Sequence, residues 1–167
     1  MVQSDVNRRF LDYWRSLRGV GGAMPTRADF DPIAVPRGVL DHLFLTEISP
    51  DPFNVRILLQ GGFITMRGGQ SLRGRDVGPD TFGAGWEDIL GLYRRVAAQG
   101  RPIRSKERHT GAHGWNMLTE VILAPLADEN GAVGFVVGSL DRLKDAPEGG
   151  APGRTDTWAI LEVDDVD

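Results

Sequence analysis

The sequence predicts an α+β fold in which a helix, two strands, short helices, a long helix and three strands follow one another. Two observations carry that order. Apolar residues recur at helical spacing in residues 5–18 and 86–97, and residues 43–60 and 102–140 hold β-like runs separated by turn signals.

The first helix rests on Val6, Phe10, Trp14 and Leu17, which form one stripe and leave Asn7, Arg8, Arg15 and Arg18 on other faces, with Gly19 as a stop. Residues 19–36 are rich in Gly and Pro without periodicity and read as an ordered connection. Residues 43–48 (LFLTEI) and 53–60 (FNVRILLQ) read as a hairpin turning through Ser49-Pro50-Asp51-Pro52. Alternation places Phe53, Val55, Ile57 and Leu59 on one face of its second strand, and Asn54, Arg56 and Gln60 on the other.

Glycines punctuate residues 61–79, which read as short helical turns that need packing to be stable. The long helix is expected over 80–99. Trp86, Ile89, Leu90, Tyr93, Val96 and Ala97 form its stripe, Asp80 or Thr81 caps its start, and Gly100 ends it. Three strands follow at about 102–110, 115–125 and 132–140, the last two joined through Asp128-Glu129-Asn130-Gly131. Residues 141–156 read as a linker, TWAILEV as a final docked strand or helix, and the acidic end from Asp164 to Asp167 as solvated. The expected organisation is an N-terminal helix and connection (1–22), a core (23–141), and a linker with a C-terminal tail (142–167).

At 167 residues the chain has the size of one domain. Hydrophobic residues at 41% and charged residues at 25% suffice for a core. The net charge of −4 argues against a protein built around nucleic-acid affinity, which needs a basic surface. With no cysteine, disulfides, thiolate metal sites and cysteinyl adducts to a flavin are excluded. The amino terminus lacks the apolar core of a signal peptide, and no apolar run reaches the ~20 residues of a membrane span, so the expected location is the cytoplasm.

Local motifs add to the element order. Tyr13-Trp14, Met24-Pro25, Asp31-Pro32, Leu43-Phe44-Leu45, the Gly-rich turn at Gly61, the Gly69-x-x-Leu72-x-Gly74-Arg75 segment, Tyr93-Arg94 and Leu123-Ala124-Pro125-Leu126 occur in sequence. As an ordered set they resemble the PAS-like family common in alphaproteobacteria, over about residues 5–140. Phe63 and Met66 beside two adjacent glycines depart from that pattern. The resemblance implies a five-stranded antiparallel sheet covered by helices, which enclose a small ligand or simply a packed core. It also implies a role in sensing and protein–protein signalling, through a partner such as a histidine kinase or response regulator.

The residues that could carry chemistry are few. Haem ligation in PAS sensors commonly uses a histidine of the long helix, and this one has none. His109 or His113 on a strand are the remaining candidates, and with His42 they otherwise read as surface or turn histidines. On the strand at 102–110, Ile103, Ser105, Glu107 and His109 share one side and Arg104, Lys106 and Arg108 the other. Two readings follow: the first set lines a polar cavity, or the strand is an edge whose far half is exposed. Trp86, Tyr93, Met117 and Phe135 are further candidates for a pocket wall, since they lie on apolar faces that a PAS fold brings together.

Arg101, Arg104, Lys106 and Arg108, with Arg67, Arg73 and Arg75, read as a solvated basic face. No phosphate-binding loop, metal-ligand cluster or nucleophile–base set occurs, so no enzyme is expected. The alternative is a small enzyme or ligand carrier in which Tyr93, Glu107 and His109 converge. No cofactor is predicted, with an unidentified small molecule left open. The stripe of Val6, Phe10, Trp14 and Leu17 is the candidate homodimer face.

Overall fold

The computed structural model describes residues 1–111, 114–143 and 155–166. Its elements are α1 (Asp5–Ser16), β1 (Leu43–Pro50), β2 (Phe53–Gln60), α2 (Gly62–Gly68), α3 (Pro79–Phe82), α4 (Trp86–Gln99), β3 (Ile103–Gly111), β4 (Asn116–Ala127), β5 (Val133–Arg142) and β6 (Thr155–Asp165). The strands form one antiparallel sheet in the order β2-β1-β5-β4-β3-β6. Six strands are present where five were expected, because the tail pairs along almost the whole of β3, from Ile103 opposite Asp165 to Gly111 opposite Thr155.

Both faces of the sheet are covered. Period-two alternation divides β4 cleanly: Val121 and Leu123 join an inner cluster with Ile89, Tyr93 and Val96 of α4, and Ile122, Ala124 and Leu126 join an outer one. Burial on both sides explains why β4 reads as a nearly continuous apolar run. The outer cluster is completed by α1, whose Phe10, Leu11 and Trp14 are buried against the chain's own sheet, and the Trp14 indole donates to the Pro125 carbonyl at 3.0 Å. The stripe offered as a dimer face is thus occupied within the chain, with Val6 and Leu17 at its half-buried rim.

A polar network fixes the start of α1. Ser4 caps the helix by accepting from the Asn7 N–H at 3.2 Å. The buried Glu120 carboxylate accepts from the backbone of Gln3 at 2.8 Å, the backbone of Ser4 at 2.9 Å, Asn7 Nδ2 at 3.1 Å and Arg104 Nε at 2.7 Å. Arg104 also reaches Glu162 at 3.3 Å and Asp164 at 2.7 Å on β6. The basic side of β3 is therefore not a free solvated face. Arg104 is buried in ion pairs, and Lys106 lies 3.5 Å from Glu162. The acidic end likewise is paired at Asp164 with Arg104 and at Asp165 with Arg95.

Two local departures from the predicted elements bear on the interior. The β1–β2 register shifts between Leu45 and Thr46, which face Leu59 and Ile57, so Leu58 is an extra residue. This bulge reverses the alternation: Leu58 and Leu59 pack on the outer cluster, and Gln60 turns inward. The single helix expected from residue 80 is broken into α3 and α4. Gly83 has φ +60°, and a Cβ on Gly85 would lie 2.1 Å from the carbonyl oxygen of Trp158, so β6 crosses where a longer helix would run. Thr81 caps α3, accepting from the Gly78 N–H at 2.9 Å. At its other end α4 stops at Gly100, as predicted, with φ +61°.

Most of the expected linker, residues 144–154, and the histidine candidate at 113 lie outside the described residues, as does the last residue. No helix among the described residues is long and apolar enough to cross a membrane.

Candidate functional site

Between the inner face of the sheet and α2, α3 and α4 lies a cavity of about 100 Å³. Thr46 and Phe44 of β1, Glu107 and His109 of β3, and Met117 and Val121 of β4 form its floor. Ile64 and Arg67 of α2, Phe82 of α3 and Tyr93 of α4 close it above, with Trp115 and Trp158 at the sides. An apolar cavity of about 150 Å³ admits benzene, and a liquid water takes about 30 Å³, so the space suits a molecule of four to six heavy atoms or a few waters.

The polar groups of β3 face this space because the strand is not an edge. With β4 on one side and β6 on the other, Ser105, Glu107 and His109 are buried. Ser105 Oγ donates to Glu107 Oε1 at 2.5 Å, and the Trp158 indole donates to the same carboxyl group. Burial outweighs these two bonds and pushes the Glu107 carboxyl up to about 7. His109 Nε2 lies 2.8 Å from Thr119 Oγ1 and 3.8 Å from Glu107 Oε2. Its ring meets that of Trp158 edge-on at 4.6 Å, and Trp158 in turn packs on Phe82 at 4.5 Å. Burial lowers the His109 imidazole to about 3 and raises the Tyr93 phenol, whose hydroxyl bonds with Thr46. At neutral pH the site therefore holds a neutral imidazole, a neutral phenol and a carboxyl divided between its two forms.

Of the pocket-wall candidates, Tyr93, Glu107, His109 and Met117 line the cavity. Ser105 acts one step behind, through Glu107. Ile103 is buried in the inner core and Trp86 packs at its margin, away from the cavity lining. Phe135 lies on the opposite face of the sheet, against the outer cluster, because β5 turns Val136 and Leu140 inward instead. Tyr93, Glu107 and His109 share the space without forming a hydrogen-bonded set: Tyr93 bonds to Thr46, and His109 bonds to Thr119. His42 stands outside, stacked on Phe63 at 4.2 Å with Nδ1 2.9 Å from the Leu140 carbonyl oxygen.

Sequence reasoning missed Trp115, Trp158 and Gln60. Trp158 was legible in principle, since Trp158 and Ile160 are half-buried and alternate with the exposed Thr157 and Ala159. Gln60 was not, because only the bulge turns it inward. Trp115 is 1% exposed, and its indole Nε1 has no hydrogen-bond partner among the described residues.

Comparison with known proteins gives a family but no close relative. No curated protein matches the chain. Among solved structures, a fungal light-oxygen-voltage (LOV) photoreceptor domain is 19% identical, with 84% of this chain and 95% of that one covered and a TM-score of 0.49. A LOV domain described with a flavin analogue is 15% identical, with 63% and 78% covered and a TM-score of 0.46. The VqmA–ligand–DNA complex of Vibrio cholera is 14% identical, with 62% and 46% covered and a TM-score of 0.47.

These likenesses correct the expectation that no cofactor is predicted, because structures similar to this chain include flavin-associated LOV domains. Cysteinyl-adduct chemistry stays excluded by the absence of cysteine. The exclusion of nucleic acid is likewise unsupported, since the similar structures include a DNA complex. The PAS domain family matches residues 2–141, the whole of the sheet except β6 together with every helix around the cavity. The chain belongs to the PAS domain family, whose members are sensory rather than catalytic domains.

Proposed function

We propose that this PAS domain detects a small molecule in the cavity behind β3 and reports its presence through protein contacts in bacterial signalling. The observation that carries the reading is the unpartnered indole N–H of Trp115 in the lining of a cavity that also holds a buried carboxyl. A buried donor without an acceptor costs about 1–3 kcal/mol, and a ligand oxygen or nitrogen recovers it. Occupancy transmits a signal only if the ligand binds one arrangement of the domain better than another. The Arg104 cluster offers a physical link from β3 to surface elements, since it joins that strand to β6 and to the start of α1.

The receiver in this reading is a cytoplasmic signalling protein such as a histidine kinase or response regulator, and the domain acts as a homodimer with α1 at or near the interface. Native mass spectrometry tests both parts. A retained small molecule and a dimeric mass at tens of micromolar are expected. An empty monomer whose melting temperature no small molecule raises would overturn the reading.

A further inference from the structure

The cavity combines two features that point to one ligand chemistry. Its walls carry five aromatic side chains, Phe44, Phe82, Tyr93, Trp115 and Trp158 among them, and its floor carries one buried carboxyl, Glu107. Aromatic faces attract organic cations through their quadrupoles, most strongly when the cation is desolvated. A buried carboxylate is costly unless it is paired with a cation.

The charged or titratable groups that line the cavity are Arg67 on α2, Tyr93 on α4, and Glu107 and His109 on β3; α3, β1, β4 and β6 contribute none among the described residues. Neither of the nearest groups pairs with Glu107 as a cation. His109 is neutral at physiological pH, and Tyr93 carries no positive charge. Arg67 places its guanidinium over the Phe63 ring at 5.6 Å, and what acts on the Glu107 carboxyl is burial, Ser105 and Trp158.

Resting on the ligand-sensing reading above, we infer that the cavity binds a small protonated organic amine, with its ammonium group on Glu107 and its carbon chain among the aromatic rings. An anion of the same size meets the carboxylate and is rejected. A neutral isostere gains the apolar contacts without the ion pair. An oxygen acceptor on the same amine would also meet the Trp115 indole N–H.

The test uses n-butylamine and its neutral counterpart 1-butanol, titrated into the whole chain while the indole N–H signals of Trp115 and Trp158 are followed by NMR. Butylamine stays protonated from pH 6 to 8. A carboxyl titrating near 7 passes from about a tenth to about nine tenths ionised over that range, so amine affinity is expected to rise about tenfold. Glu107→Gln, which keeps the shape and can still accept from Ser105, is expected to lose that pH dependence and at least about tenfold of the affinity at pH 8.

Butanol binding as tightly as butylamine, amine affinity that rises as pH falls, or an unchanged affinity in Glu107→Gln would each overturn the amine assignment and leave a ligand-sensing domain for neutral molecules. If neither probe moves the indole signals and native mass spectrometry finds no retained molecule, the sensing reading falls with it.

Discussion

Arg104 and Glu120 form an ion pair of 2.7 Å on the outer face of the sheet, with side chains 2% and 0% exposed. Glu120 holds the start of α1 and Arg104 holds β6, so one pair joins the two ends of the described chain. Removing one partner of a buried pair typically costs about 3–5 kcal/mol. Glu120→Ala is expected to fall in that range by urea unfolding and to raise amide exchange in α1 more than in α4. Arg104→Met is expected to cost less, because Glu120 keeps its donors from Gln3, Ser4 and Asn7.

The Glu107–His109 pair predicts a flat pH profile that hides two slopes. Glu107 moves from 4.5 to about 7 on folding, so the native state holds the extra proton and stability falls as pH rises from about 4.5 to 7. His109 moves from 6.5 to about 3, so the unfolded state holds the extra proton and stability rises with pH from about 3 to 6.5. Between about pH 4.5 and 6.5 each contributes about 1.4 kcal/mol per pH unit, with opposite sign. Urea midpoints should show stability rising with pH in Glu107→Gln and falling in His109→Gln across that window, with the wild type nearly level. Glu120, held below the usual carboxylate range by Arg104 and by the donors at the start of α1, acts elsewhere: its contribution is complete above about pH 4.5 and is lost as pH falls.

Two glycines near α4 should respond in opposite directions to alanine. At Gly85 a Cβ would meet the Trp158 carbonyl oxygen at 2.1 Å, so the substitution forces β6 away and is expected to cost about 1–3 kcal/mol. Gly91 is exposed inside α4 with nothing within 4 Å of the added methyl, so Gly91→Ala is expected to gain about 0.5–1 kcal/mol from helix propensity. Thermal melts of the two variants side by side check both signs.

Trp158 supplies both a hydrogen bond and a dry wall to Glu107. Trp158→Ala removes one favourable contact to the carboxylate and admits water, and the second effect is the larger because burial is the leading cause of the raised value. The Glu107 carboxyl is therefore expected to return from about 7 toward 4.5. Carbon-detected NMR of the side-chain carboxyl across pH 4–8 reads this directly; an unchanged midpoint would show that β6 does not seal the site.

The sequence by itself determined the element order, because hydrophobic periodicity and turn chemistry are local. The α1 stripe, both hairpins, the Gly100 stop and the common side of Ser105, Glu107 and His109 all follow from spacing within a few residues. Tertiary structure decided what those faces meet. Whether β3 was an edge or an interior strand depended on residues 155–165 returning across an 11-residue gap to pair with it, a non-local event that leaves no mark on β3 itself. The same pairing broke the long helix at Gly83 and Gly85, neutralised the basic side of β3 and placed Trp158 over Glu107. Gln60 entered the cavity because one extra residue in β2 reversed the alternation, and such a bulge is set by the partner strand. The identity of a face is a property of the sequence; its surroundings, and hence the ionisation of Glu107 and His109, exist only once distant strands have buried it.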